Sequence, residues 1–580
     1  MLKFFLVYLK RYQIRFWLGA LTLIIVDVLD VAWPLIIKYA IDNIAAPNVW
    51  QILVWCAVGY VGVNALQGIG RYWFRIFFHS TSLKIAQDLR DELFTHLQKL
   101  SCGFFNASKT GDLMSRATND IEAVRSFYGL GIFIGVDIIA YFVTVPFIML
   151  FLSVKLTLLS VILVPLLPFF VNRMRNLIHK RFKEVQETMS TMSNLAQENF
   201  AGIRVVKSFA QEENQIKDFD DINRKYVKQN LSIVKLDAIL NHTLGLASAL
   251  GIIIVVFIGG LETINGKISI GTFVAFPFYL GRLTWPMAAL GWTVSVFQRA
   301  FASMERLQEL FNTKPEIISP EPDKTISLAK VEGEIEFRNV SLSYAEPSHP
   351  ALENINLKIR AGTTVAVMGP IGSGKSSLVN LIPRLFDPTI GEVTIDRVNI
   401  KKLSLTGLRN TIGFVPQDVF LFSESIKENI AFGITAPDDK SILKAAEIAR
   451  VHNDIEGFTN KYDTMLGERG INLSGGQKQR ITIARAIIKN PKILILDDCL
   501  SSVDVDTEES ILRQLKDVLK NRTTIIVSHR LPAVKLADVI VFMENGKIVE
   551  YGKHSELLHL KGRYAHYYHR QKLISDLEKT

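Results

Sequence analysis

The sequence predicts a multidomain chain: a six-helix all-α transmembrane domain over residues 1–312, a linker at 313–332, and an α/β domain of the phosphate-loop class over 333–580. Three observations predict it. Long apolar stretches crowd the first half. In the second half, the glycine-rich run Gly369-Pro370-Ile371-Gly372-Ser373-Gly374-Lys375-Ser376 follows a strand-like segment. Further on, the apolar run Ile493 to Leu496 ends in two carboxylates, Asp497 and Asp498.

At 580 residues the chain is too long for one core. Its 49% hydrophobic content is high for a water-soluble enzyme, and the excess sits in the first half. Cys56, Cys102 and Cys499 have no paired spacing, which argues against a disulfide framework or a zinc site. The net charge of +10 comes from basic residues beside apolar spans, where they orient helices in a membrane, so nucleic acid is not expected as a partner.

Met1 to Arg15 mixes Lys3, Lys10, Arg11 and Arg15 with Phe4, Phe5, Leu6 and Tyr8, the composition of an amphipathic helix at a membrane surface rather than a cleavable signal. Six stretches then approach the roughly 20 apolar residues a span requires. They are Phe16 to Ile37, Ile52 to Phe78, Phe127 to Leu152, Leu156 to Val171 with a continuation, Ile239 to Leu261, and Ile270 to Phe297. Pro34, Pro165, Pro168, Pro277 and Pro286 lie inside them, as membrane helices tolerate.

Lys and Arg concentrate in two connections, the second-to-third (Lys84, Arg90, Lys99, Lys109, Arg116, Arg125) and the fourth-to-fifth (Arg173 to Lys207). The positive-inside rule therefore puts both long loops and both termini in the cytosol of a multi-pass cytoplasmic-membrane protein. Ile85 to Leu100 and Arg173 to Phe219 keep helical spacing, so the membrane helices are expected to run on beyond the bilayer.

Charges inside the spans are few. Asp27 and Asp30 share a face of the first, Asp137 lies in the third and Arg282 in the sixth. Such groups face a cavity or one another. Either the acids line a pocket for amphipathic cations walled by Trp285, Trp292 and Phe297, or they form interhelical pairs.

Thr313 to Lys330, with Pro315, Pro320 and Pro322 and no apolar period, reads as a linker. Short β-like runs begin at Glu334. The loop at Gly369 to Ser376 sits between the strand-like Thr364 to Met368 and a helix-like run from Ser377, the context a phosphate-binding loop requires. Its glycines let backbone amides wrap phosphates, Lys375 neutralises their oxygens, and the Ser376 hydroxyl can bind Mg²⁺. Leu473-Ser474-Gly475-Gly476-Gln477 opens a second helix, which Asn490-Pro491 stops, and the following strand delivers Asp497 where a magnesium ligand belongs.

In this order the motifs resemble the α/β P-loop ATPase (nucleotide-binding) domain of ABC transporters. With six spans ahead of it, nearly the whole chain resembles a type IV exporter half-transporter. Tyr279 to Met287 and Gln298 to Ser303 resemble bacterial heterodimeric multidrug exporters.

The resemblance implies ATP-driven export of amphipathic small molecules across the lipid bilayer, with ATP and Mg²⁺ as cofactors and a second ABC half-transporter subunit as partner. It assigns ATP binding to Tyr344, which would stack on adenine, to Gly369 through Ser377, and to Ser474, Gly475, Gly476 and Gln477, which would cap the ATP of the partner. Ser376, Gln417 (in Val415-Pro416-Gln417-Asp418) and Asp497 would hold the metal. Asp498, His529 and Gln417 would be catalytic. Glu468-Arg469-Gly470 resembles the exporter-type loop before the signature, and Ser501-Ser502-Val503-Asp504 the loop that crosses to the partner. Thr110 to Asp120 and Gly202 to Phe209 resemble segments near the coupling helices.

One position departs from the family. Asp498 stands where most hydrolysing sites have Glu, and its carboxylate is one methylene short. A misplacement near 1 Å can cost roughly 100-fold in rate, so slow hydrolysis is expected at this chain's own site. An intact signature beside a short base implies a heterodimer with one degenerate site. A homodimeric lipid flippase or exporter, and an ATP-binding regulatory subunit with little hydrolysis, are the alternatives.

Overall fold

A computed structural model describes residues 2–578 except 162–165, 322–330, 345–349, 436, 468–469, 471, 500–509, 512, 514, 517–518 and 530. The chain forms two compact units, Met1–Gln98 with Lys109–Thr313, and Lys99–Ser108 with Lys314–Thr580.

The first unit is helical. Gln13–Asp42, Val49–Lys99 and Thr110–Leu152 are, among the described residues, long and apolar enough to cross a membrane. The other three expected spans have a different character. The fourth is interrupted by residues outside the described set. The fifth ends in the apolar but short Ala249–Ile264. The sixth opens the 43-residue helix Ile270–Asn312, whose Ser269 cap accepts from the Thr272 amide at 3.1 Å. Asp42 closes the first span onto this cap, accepting from Gly271 N at 2.7 Å and Ser269 Oγ at 2.8 Å. The N-terminal helix Leu2–Arg11 packs on the extension of the second span. Its Tyr8 is 2% exposed and donates to Glu92 at 2.5 Å, while Arg11 reaches Asp88 at 2.8 Å.

The intramembrane acids Asp27, Asp30 and Asp137 are buried among the helices. Asp30 is buried and accepts from Tyr141 Oη at 2.6 Å and Arg71 Nη2 at 3.3 Å, and it also pairs with Gln67 and Arg282. Four helices thus meet on one carboxylate. Asp27 and Asp137 are buried, whereas Trp285 and Trp292 are exposed in the protomer. Phe297 packs edge-on against Phe127, ring centroids 4.7 Å apart. Among the described residues Asp30 follows the interhelical alternative.

In Thr110–Leu152 a π-turn at Arg116–Asp120 aims Asp120 at Arg306 Nε, 2.9 Å away, and at Ser303 Oγ, 2.9 Å away. Thr110 to Asp120 and the short helix Ile203–Ser208 both belong to the helical unit.

Among the described residues the second unit holds ten strands: β1 (Ile335–Leu342), β2 (Leu352–Ile359), β3 (Thr364–Met368), β4 (Ile390–Ile395), β5 (Val398–Asn399), β6 (Ile412–Val415), β7 (Ile493–Asp497), β8 (Thr523–Val527), β9 (Val539–Glu544) and β10 (Lys547–Gly552). A four-stranded antiparallel sheet runs β2-β1-β4-β5. A six-stranded sheet runs β10-β9-β3-β8-β7-β6, parallel from β9 to β6 with β10 antiparallel on its edge. β3, β7 and β8 are buried along their whole length, which is why they read as continuous apolar runs. Because β3, β8 and β7 are neighbours, their carboxyl ends converge, the place where open α/β sheets bind ligands.

Residues 99–108 join this unit from the middle of the helical half. Ser101 Oγ accepts from the amides of Glu316 and Ile317, each at 3.0 Å, at the start of the short helix Cys102–Ala107. This segment lies immediately ahead of Thr110.

Candidate active site

The loop after β3 turns on glycines that nothing larger can replace. Gly369 and Gly374 have φ of 149° and 93°, and a Cβ on them would lie 2.1 Å from Met543 O and 2.5 Å from Ala351 O. Ile371 is 99% exposed and lies at the rim of a cavity that it helps to line. Lys375 folds back, donating to Gly369 O at 2.9 Å and Pro370 O at 2.7 Å. Burial pulls its pKa down, against the pull of Asp498 and Asp497.

Ser376, first in the loop's helix after Lys375, donates to Asp497 Oδ1 at 3.1 Å. Asp497 ends β7 and is buried. Burial chiefly raises its pKa and Asp498 adds to this, while Ser376 and Lys375 oppose it. Asp498, one residue on, takes the left-handed conformation at φ 45° and donates its amide to Val527 O at 2.9 Å. Its Oδ1 stands 3.0 Å from Nδ1 of His529, which follows β8. The strained turn is thus tied to the neighbouring strand by main chain and side chain together.

Gly372, Ser373, Gly374, Lys375, Ser376, Ser377, Gln417, Asp497, Asp498 and His529 line one cavity of about 250 Å³. Gln417 enters it two residues beyond β6. Tyr344 stands at its border, donating to Ser377 Oγ at 3.1 Å with its ring edge-on to Phe386 at 5.2 Å.

Ser474, Gly475, Gly476 and Gln477 do not line this cavity. Ser474 caps the helix Gly475–Ile488 in a reciprocal box, accepting from Gln477 N at 3.2 Å while Gln477 Oε1 accepts from Ser474 N at 3.0 Å. Gln477 Nε2 then reaches Asp454 Oδ1 at 3.1 Å, a carboxylate that also takes Arg480 at 2.8 Å. Glu468, Arg469 and Ser501 to Asp504 lie outside the described residues.

Sequence reasoning passed over Ala351, which lines the cavity, and Tyr567, whose hydroxyl lies 3.4 Å from Gly369 O. Neither sits in a local motif. The tyrosine cluster at 564, 567 and 568 is the signal that could have drawn attention to the C-terminal helix.

The donor set is hydroxyl, amide and carboxylate, all hard oxygen. Among the described residues no cluster of three or more His, Cys, Asp or Glu could hold a metal alone. That combination suits a cation completed by phosphate oxygens, and not zinc.

Comparison with known proteins places the chain among relatives of matching length. The family description "ABC transporter transmembrane region" matches residues 16–287, and "ABC transporter" matches residues 352–501. A probable multidrug resistance ABC transporter ATP-binding/permease protein of Bacillus subtilis is 34% identical over 98% of this chain and 97% of its own. An ATP-dependent lipid A-core flippase of Syntrophus aciditrophicus is 33% identical over 95% and 91%. The solved structure of a bacterial Atm1-family ABC exporter with ATP bound superposes with a TM-score of 0.78 at 26% identity, covering 97% of this chain and 99% of that one.

Proposed function

The chain belongs to the ABC transporter family as an exporter half-transporter, and from that premise we propose that it is the subunit of a heterodimer whose own hydrolytic site is degenerate. As an ABC exporter it is an ATP-hydrolysing translocase that works as a membrane-embedded dimer. The cargo we assign is an amphipathic small molecule, multidrug-like or lipid-like, in keeping with the named relatives. The distribution of Lys and Arg puts both termini and the ATPase domain in the cytosol, with the helices in the cytoplasmic membrane.

ATP binding is assigned to the cavity at the ends of β3, β7 and β8. Lys375 exchanges its two loop carbonyls for phosphate oxygens, the loop amides from Gly372 to Ser377 wrap the phosphates, and Tyr344 offers a ring to the base. Ser376, Gln417 and Asp497 would hold Mg²⁺, which supplies charge neutralisation on the phosphates. His529 addresses the γ-phosphate, and Asp498 orients the attacking water. Ser474 to Gln477, which do not line this cavity, close the partner's ATP. ATP contacts that exist only in the closed dimer bias the helices toward the outward-open state, and hydrolysis returns them.

The observation that carries the heterodimer is the Asp498 carboxylate 3.0 Å from His529. A short side chain held by its neighbour leaves less reach toward a water than Glu would. ATPase assay of the chain purified alone, beside Asp498→Glu and beside the chain co-expressed with a second half-transporter, tests it. Activity arising only with Glu or with a second subunit is the expected result. Brisk turnover of the unmodified homodimer returns the reading to a homodimeric exporter or flippase. No turnover in any arm, with ATP retained, makes the chain a regulatory subunit.

A further inference from the structure

We propose that the cavity between Val49–Lys99 and the second π-turn of Thr110–Leu152, at Phe127–Gly131, binds an amphiphile with an anionic headgroup, carboxylate or phosphate, through Arg75. The cavity holds about 970 Å³, at the upper end of small-molecule pockets, which run to roughly 1,000 Å³. Arg71, Arg75 and His79 line it at four-residue spacing, which sets them on one helix face about 6 Å apart along the axis.

The three cations are not equivalent. Arg71 is engaged by Asp30 at 3.3 Å. Arg75 lies inside the apolar stretch Ile52 to Phe78, and among the described residues it has no hydrogen-bond or ion-pair partner. Glu122, the acid whose field reaches His79, is taken by Arg125 at 2.7 Å. Asp27, Asp30 and Asp137 are buried among the helices. Arg75 lies within one turn of the end of that apolar stretch and is exposed along the cavity, so it presents an uncompensated charge that an anionic headgroup would complement.

The rest of the wall is apolar and shaped for a chain. Phe74 and Phe133 stack at 5.0 Å and 24°, with Phe78 at 6.3 Å from Phe133. Gly68 lies two turns from Arg75 toward the helix start, and a Cβ added to it would meet nothing within 4 Å. The headgroup therefore sits at Arg75 and His79, toward the end of the helix that leads to Lys99. The hydrocarbon runs along the aromatic wall toward Gly68.

Lipid retention tests the site without reference to transport. The full chain, purified from vesicles of phosphatidylcholine with one-fifth phosphatidylglycerol, is examined by native mass spectrometry. Phosphatidylglycerol should be enriched over phosphatidylcholine, and Arg75→Gln should lower that enrichment roughly fivefold, the factor one basic side chain contributes beside anionic headgroups. Arg75→Lys should keep most of it, and Gly68→Leu should lower retention by filling the chain's path. Equal retention of both lipids by the unmodified protein, enrichment unchanged in Arg75→Gln, or retention unchanged in Gly68→Leu overturns the proposal.

Whether the occupant is cargo or resident lipid rests on the exporter reading and has its own readout. ATP-dependent movement of labelled phosphatidylglycerol that is lost in Arg75→Gln makes it cargo. Movement unchanged while retention falls makes it a resident lipid, and either supports the site.

Discussion

Asp498 Oδ1 lies 3.0 Å from His529 Nδ1, which joins the residue after β7 to the second residue beyond β8 across adjacent parallel strands. The pair gives Asp498 a fixed partner on the far side of its strained turn. Removing the histidine ring should therefore affect more than contact with phosphate. His529→Ala is expected to abolish residual hydrolysis by the chain while leaving ATP retention within about threefold, since Lys375 and the loop amides supply most of the phosphate contacts. Steady-state ATPase and equilibrium binding of a fluorescent ATP analogue separate the two effects. A large loss of binding would show that the ring holds the turn itself.

Asp497 sets a pH dependence whose sign follows from its burial. Its pKa is raised above the ordinary 3.8, chiefly by burial, so the folded state binds more protons than the unfolded state in the window above that value. Stability of the nucleotide-free protein should fall as pH rises through that window, because stability rises with pH only where the unfolded state holds more protons. Asp497→Asn should flatten that part of the profile. Melting temperature in detergent between pH 4 and pH 7, with and without the substitution, is the measurement.

The phosphate loop, the strand acids, Gln417 and the signature were legible in the sequence because each is a contiguous string whose spacing carries its geometry. Asp498 was legible as a shortened base, but not as a left-handed residue tied to β8, since that depends on Val527 and His529 arriving from a separate strand. The grouping of residues 99–108 with the ATPase unit was hidden for the same reason. Ser101 meets the amides of Glu316 and Ile317 only after more than two hundred residues of chain have folded. In the membrane half, hydropathy found the helices, but apolar periodicity does not say which faces meet. Asp30 could thus be read as cavity lining or as a hub until Gln67, Arg71, Tyr141 and Arg282 were seen around it.

Ser474 has two separable duties. As an N-cap it satisfies the Gln477 amide, and Ser→Ala at such a position costs about 1 kcal/mol. As part of the signature it would touch the partner's nucleotide, not this chain's own. Ser474→Ala should therefore lower the melting temperature of the chain by a few degrees and leave ATP binding to its own loop unchanged. In a co-expressed pair, the same substitution should depress turnover at the partner's site by an order of magnitude or more. Loss of ATP binding in the chain purified alone would contradict this separation.

Asp30 gives the largest expected effect on stability in the helical unit. It is 1% exposed, and its oxygens take Tyr141, Gln67 and two arginines from three other helices. Arg282 in turn lies over the Trp33 ring, 5.5 Å from its centroid, so the cation is held from both sides. Asp30→Asn keeps the volume and some hydrogen bonds but leaves two cations without their counter-ion. Breaking a buried pair from one side costs about 3–5 kcal/mol. Arg282→Met in the same chain removes one orphaned charge, so the double variant should be more stable than Asp30→Asn alone and closer to the unmodified protein than the sum of the single effects. Thermal unfolding in detergent, followed by tryptophan fluorescence, measures all three. Additive losses would mean that Asp30 and Arg282 act independently and that the carboxylate is not the point on which the four helices are joined.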